Sequence, residues 1–164
     1  MIPNPITEVL KLNETQSEFE IKRAEEIDLD LLYELEGLLF EGNAWSLDSI
    51  RFCLTGEHQI ALIARDEDGA PLGYLTGSLL PDAAEIFRIG VLPWQRRQGV
   101  GRALADAFFA EARAVGADRA LLEVRESNSG ARAFYARLGA IELCRRRHYS
   151  RSPEEDAVIL EFSL

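Results

Sequence analysis

The stretch from Glu85 to Leu104 restricts the fold more than any other. It opens with Glu-Ile-Phe-Arg-Ile-Gly-Val, rich in β-branched and aromatic residues and ended by Pro93, which reads as a strand over 85–91. It closes with Arg96-Arg-Gln-Gly-Val-Gly-Arg102, a turn with two glycines. A helix follows, marked by Val100, Leu104 and Phe108 at four-residue spacing. A strand, such a turn and a helix start gather backbone N–H groups around one point, and the helix dipole adds positive charge there. Gly99 and Gly101 let the main chain approach an anion without a Cβ in the way. The guest expected there is a phosphate or pyrophosphate.

Two common phosphate loops do not fit. A P-loop ends in Gly-Lys-Ser/Thr, whereas Gly101 is followed by Arg102-Ala103. A dinucleotide fingerprint needs a third glycine at 104, which is Leu. What remains is Arg96-x-x-Gly99-x-Gly101; by itself it also suits a βα connection with glycines for tight packing.

At 164 residues the chain suits one domain with a real core. It is 47% hydrophobic and 28% charged, which argues against disorder. No apolar run approaches a membrane span, and Met1-Ile-Pro-Asn-Pro5 lacks a secretory pattern. Cys53 and Cys144 stand far apart without metal spacing, as reduced thiols of a cytoplasmic protein do, and no metal is expected. A net charge of −10 disfavours a nucleic-acid binder and suits a cationic substrate, although solubility alone explains acidity. Against that background Arg96, Arg97 and Arg102 collect at the loop, a local reversal of sign that favours an anionic ligand.

Residues 1–17 read as a loosely docked or mobile extension, and 18–164 as the domain. Residues 19–23 alternate as a strand. Asp28 is expected to cap a helix over 29–40 with Leu31, Leu32, Leu35, Leu38 and Leu39 on its buried side, and Ser46 a second over 47–54. Strands at 59–65 and 72–80 form a hairpin through Asp66-Glu-Asp-Gly69. After the helix at 100–115 come a strand at 119–125, a short helix ended by Gly139, and two strands, 141–147 and 157–162, joined by a polar loop. Seven strands and four helices in this order make a mixed α/β (α+β) domain with helices covering a sheet.

Glu123 lies in the apolar run Ala120-Leu-Leu-Glu-Val124, where a carboxylate is costly unless paired, hydrated or used. It is a candidate proton acceptor, with a salt bridge to a nearby arginine as the competing account. Tyr135, on the short helix with Ala131 and Leu138, reads first as core, and Asn128 first as a helix cap.

The loop at 96–101 resembles the pyrophosphate loop of the GNAT superfamily of N-acetyltransferases. Together with Leu122-Glu-Val-Arg-Glu-Ser-Asn128, Ala131, Phe134-Tyr135 and Leu138-Gly139, it looks like the superfamily's RimI-type branch. Arg146-Arg-His-Tyr149, Glu155-Asp-Ala-Val-Ile159 and Asn43-Ala-Trp-Ser46 are similar to further segments of that branch, so the resemblance covers roughly residues 19–162. It implies a GNAT fold whose central strands splay to form an acetyl-CoA cleft. It implies direct acetyl transfer to the N-terminal α-amine of a protein or peptide, in that branch a ribosomal protein beginning with alanine. Ile89, Gly90 and Val91 would hold the pantetheine arm, and Arg96, Arg97, Gln98, Gly99, Val100, Gly101 and Arg102 the pyrophosphate. Asn128 would contact the pantetheine, Glu123 would be the general base, and Tyr135 the general acid. The resemblance thus moves Tyr135 from core to catalytic and leaves both cysteines without a nucleophilic role.

This chain departs from the pattern at Ala140, where the family has Phe, at Gln95 and Trp94, and at His148 and Ser150. His148 could serve as an auxiliary base, though a surface bystander is the commoner case. Lysine side-chain or small-amine acetylation, and a non-catalytic acyl-CoA-binding sensor module, are the competing functions.

Overall fold

The structure is a computed structural model and describes residues 18–151 and 154–164; the side chains of 149–151 and the expected extension at 1–17 lie outside that description. The elements are β1 (Phe19–Arg23), α1 (Leu29–Leu39), α2 (Leu47–Thr55), β2 (Gln59–Asp66), β3 (Pro71–Ser78), β4 (Ala84–Val91), α3 (Val100–Ala114), β5 (Arg119–Arg125), α4 (Ser129–Arg137), β6 (Ile141–Arg151) and β7 (Glu154–Ser163). Their order is the one read from the pattern of apolar residues. The strands form one sheet in the order β1-β2-β3-β4-β5-β7-β6.

Alternation along the strands builds a core on each face of the sheet. In β2, Ile60 and Leu62 join the larger core with Leu104 and Phe108 of α3, while Ala61 and Ile63 join a second core with Leu32 and Leu35 of α1. The β2–β3 turn forms because Asp66 Oδ1 accepts the N–H groups of Asp68 (3.0 Å) and Ala70 (2.8 Å), with Gly69 at φ +83°.

All neighbouring strands run antiparallel except β4 and β5. That parallel pair is short: Ala84, Glu85 and Ile86 face Ala120, Leu121 and Leu122, and pairing then stops. Beyond this point β4 continues on β3 alone and β5 on β7 alone, so the sheet opens in its middle. Between β3 and β4, Thr76 pairs with Arg88 and Gly77 with Ile86, which leaves Phe87 as a bulge. A one-residue bulge exchanges the faces of everything after it. Ile86, Ile89 and Val91 therefore all pack on the larger core, and Arg88 turns to the α1–α2 side.

Three local expectations need correction. Leu38 is 69% exposed, and Glu36 takes its place on the inside at 1% exposure. At 100° per residue, 36 falls within the stripe of 29, 32, 35 and 39, whereas 38 lies well off it. Asp28 makes no side-chain cap on α1; it accepts the Glu25 N–H at 2.9 Å and pairs with Arg65 at 2.8 Å across a short 3-10 turn. The last two strands run further toward each other than expected, with Ser150 opposite Glu155 and Arg151 opposite Glu154. Ser46 does cap α2 (3.2 Å to the Ser49 N–H), and Gly139 ends α4's turn at φ +98°.

Candidate active site

The loop between β4 and α3 places two left-handed residues ahead of the helix. Gly99, at φ +85°, caps α3, and Arg97 is also left-handed at φ +65°, a strained conformation for a residue with a Cβ. Ala103 donates to the Gly99 carbonyl at 2.9 Å, so the amides of Val100, Gly101 and Arg102 are the ones with no carbonyl a turn behind them. A Cβ on Gly101 would stand 3.1 Å from the Phe134 ring and 3.6 Å from Val91, so small size here lets α4 pack across the start of α3 and the end of β4. Arg96 donates from Nε to the Val91 carbonyl at 3.1 Å, and Arg102 pairs loosely with Asp106 at 3.8 Å. The side chains of Arg96, Arg97 and Arg102 are exposed at the loop.

Ile89, Gly90 and Val91 follow the point where β4 leaves β5, so their β5-side edge has no strand partner. Of this edge, the Val91 carbonyl is already used by Arg96. Asn128 caps α4, its Oδ1 accepting the Ala131 N–H at 3.1 Å, which leaves its amide nitrogen for another partner.

Glu123 is the residue after the last β5 position paired to β4, and it faces away from the core that takes Leu122 and Val124. Its side chain is 28% exposed and lies 3.5 Å from Arg146 on β6. Paired and half-hydrated, it meets both conditions under which a carboxylate tolerates an apolar strand. Glu85 shares this face. Although exposed on one side, its carboxyl loses part of its hydration against the sheet, which raises it above the usual range, and the charge of Glu123 adds to the shift.

This shift, from lost hydration first and repulsion second, has a measurable consequence. A raised folded-state pKa means Glu85 supports the fold while protonated and loses this contribution as pH rises through its titration. Glu85→Gln is expected to melt above the parent chain at pH 7, the gap closing in melts taken at falling pH.

Tyr135 sits on the core face, 8% exposed, with its ring against Phe162 (6.4 Å between centroids) and Phe134 (5.3 Å). Burial pushes its phenol well above the ordinary range, so it keeps its proton. It makes no hydrogen bond to another described residue, Glu123 included: the acid and the phenol belong to opposite faces of the sheet. His148 is exposed on β6, at φ +52°, beside Glu154.

The α1–α2 side adds Glu36, Tyr74, Phe87 and Arg88, to which the sequence pattern gives no role. An open groove is lined by Trp45, Asp48, Ser49, Phe52, Cys53 and Phe87, with Trp45 and Phe87 edge to face at 6.5 Å. Behind it, Glu36 accepts from Arg88, from the Tyr74 hydroxyl and from the Trp45 N–H (2.9 Å). An arginine between Phe87 and Ile89 was the available signal, the same kind of interruption that singled out Glu123. Burial and the Glu36 charge push the Cys53 thiol up to about 11, so it stays protonated at neutral pH. Among the described residues no group of His, Cys, Asp and Glu is placed to hold a metal ion, and no helix is long and apolar enough to cross a membrane.

Comparison with known proteins identifies the family. Residues 21–140 match the model of the acetyltransferase (GNAT) family. The [ribosomal protein bS18]-alanine N-acetyltransferase of Escherichia coli K12 is 36% identical over 96 residues, 57% of this chain and 65% of that protein, just under two thirds of its length. Its Haemophilus influenzae counterpart is 30% identical over 143 residues, 85% of this chain and 95% of that protein. The crystal structure of the Escherichia coli ribosomal-protein-S18-alanine N-acetyltransferase superposes with a TM-score of 0.79 at 30% identity, over 89% of this chain and 94% of that one. By the family model and by relatives matched over nearly their whole length, this chain belongs to the acetyltransferase (GNAT) family.

Proposed function

We propose that the chain is an acetyl-CoA-dependent N-acetyltransferase that transfers acetyl directly to the N-terminal α-amine of a protein or peptide, in the cytoplasm. The relatives' names point to a ribosomal protein beginning with alanine as the acceptor. The observation that carries this reading is the parting of β4 from β5 between Ile86/Leu122 and the Gly99–Gly101 loop, with Glu123 at the point of parting.

The residues present fit acetyl-CoA. The amides of Val100, Gly101 and Arg102, with Arg96, Arg97, Gln98 and Gly99, supply a positive cradle of main chain and guanidinium for its pyrophosphate. The unpartnered edge of Ile89, Gly90 and Val91 suits an arm that carries amides, and Asn128 offers its side-chain nitrogen to the same arm. Acetyl-CoA supplies the activated acetyl group as a thioester.

At the edge of the gap, Glu123 faces an arriving ammonium, which a basic peptide brings in with help from the net charge of −10. Glu123 takes the proton from that amine. Tyr135, held protonated by burial, hands its proton to the departing sulfur. No enzyme thiol is needed, in keeping with the protonated state of Cys53.

Removal of the phenol proton alone tests that assignment. Tyr135→Phe is expected to lower turnover about a hundredfold with acetyl-CoA affinity kept, as read by single-turnover kinetics and calorimetric titration.

The function itself is tested by incubating the protein with acetyl-CoA and peptides that differ in their first residues, then locating the acetyl group by mass spectrometry. Acetyl at the α-amine, with alanine preferred at the first position, is the expected result. Acetyl on internal lysines alone overturns the acceptor assignment; stabilisation by acetyl-CoA with no transfer to any amine points to a binding module.

A further inference from the structure

We propose that the open groove lined by Trp45, Phe52 and Phe87, on the sheet face that also carries Glu123, receives the acceptor, and that Arg88 and Glu36 form a positioning clamp that sets its aromatic wall against the strand carrying the cofactor arm. The inference rests on the acceptor reading above.

The geometry is specific. The Arg88 guanidinium lies over two rings, 4.4 Å from the centroid of Phe40 and 4.5 Å from that of Trp45. One of its nitrogens donates to Glu36 and the other to the Asn43 carbonyl at 2.8 Å. Glu36 accepts in turn from the Trp45 N–H and the Tyr74 hydroxyl. The end of α1, the α1–α2 connection, β3 and β4 are thereby tied at one point, one residue past the Phe87 bulge and two before Gly90. At Gly90 a Cβ would stand 2.8 Å from Leu39, so the same corner is seated on β4 a second time.

Stability alone does not account for a pair this deeply buried, since apolar replacements of such pairs are commonly neutral or better. What it adds is direction. A planar cation whose two terminal nitrogens bond α1 and the α1–α2 connection, and which lies over two rings, fixes the direction of that connection, and Trp45, a wall of the groove, belongs to it. The strand next to the acyl group and the wall beside the amine then move as one body.

The test uses Glu36→Gln/Arg88→Met, which removes both charges while leaving an acceptor for Trp45 and Tyr74. With acetyl-CoA saturating, the KM for the acceptor peptide is expected to rise about tenfold while the KM for acetyl-CoA changes by less than about twofold. An unchanged peptide KM, or both constants rising together, overturns the proposal.

A second variant, Arg88→Lys, keeps the buried cation but not the two terminal nitrogens or the flat stack. In a Trp94→Phe background Trp45 is the remaining tryptophan, and Lys at 88 is expected to raise its quenching by acrylamide. Unchanged quenching sinks the clamp whether or not the double variant folds. If the parent chain acetylates no peptide, the acceptor reading fails on its own, and the quenching result still judges the clamp.

Discussion

Replacing Glu123 by glutamine is expected to lower turnover about a thousandfold, with acetyl-CoA affinity within about twofold of the parent chain. Glutamine has the same shape and loses only the capacity to take a proton. The pair with Arg146, 3.5 Å apart and partly hydrated, is the kind that adds little to folding, so the melting temperature should hardly move. The pH profile gives a second readout. Without its base the variant depends on amine that arrives already deprotonated, so its rate should keep climbing toward the ordinary α-amine range, about 8, where the parent has levelled off. Steady-state rates across pH 6–9 decide the matter, and a variant that tracks the parent would remove Glu123 from the mechanism.

Arg88→Ala is expected to produce the largest loss of stability of any single substitution considered. It leaves Glu36 at 1% exposure with no cation to face it, and it opens a space over Phe40 and Trp45. Stranding one member of a buried pair costs about 3–5 kcal/mol, a fall in melting temperature on the order of 10 °C for a domain of this size. Glu36→Gln/Arg88→Met should recover most of that loss, because neither partner then carries a stranded charge. Melts of the three proteins at one pH give the comparison. A single variant that melts with the parent would mean water reaches Glu36 and that the corner is looser than its contacts imply. Tyr74, whose phenol is driven far above its ordinary range by burial and by its bond to Glu36, would then be expected to titrate closer to normal, which ultraviolet absorbance reads directly.

How far the sequence was legible follows from the range of the forces involved. The Gly99 cap, the Asp66–Ala70 turn, the Ser46 and Asn128 caps and the β5 boundaries depend on backbone sterics and on hydrogen bonds a few residues long, and these came out where local pattern put them. The inside of α1 did not. Counting apolar residues puts Leu38 inward, whereas helix angle puts Glu36 there, and donors far off in sequence, Arg88 and the Tyr74 hydroxyl, make a carboxylate tolerable at that position.

The sequence by itself therefore determined the order of the elements, the glycine turn that opens α3, and the family, because each is written in neighbouring residues. The tertiary structure decided what no window of sequence contains. It set where β4 leaves β5, since this depends on which of two strands each backbone edge finds. It also decided which way Arg88 points, since a bulge at Phe87 exchanges the faces of the residues after it. Local rules stop at the strand; the cleft and the clamp arise from pairing between segments far apart in the chain.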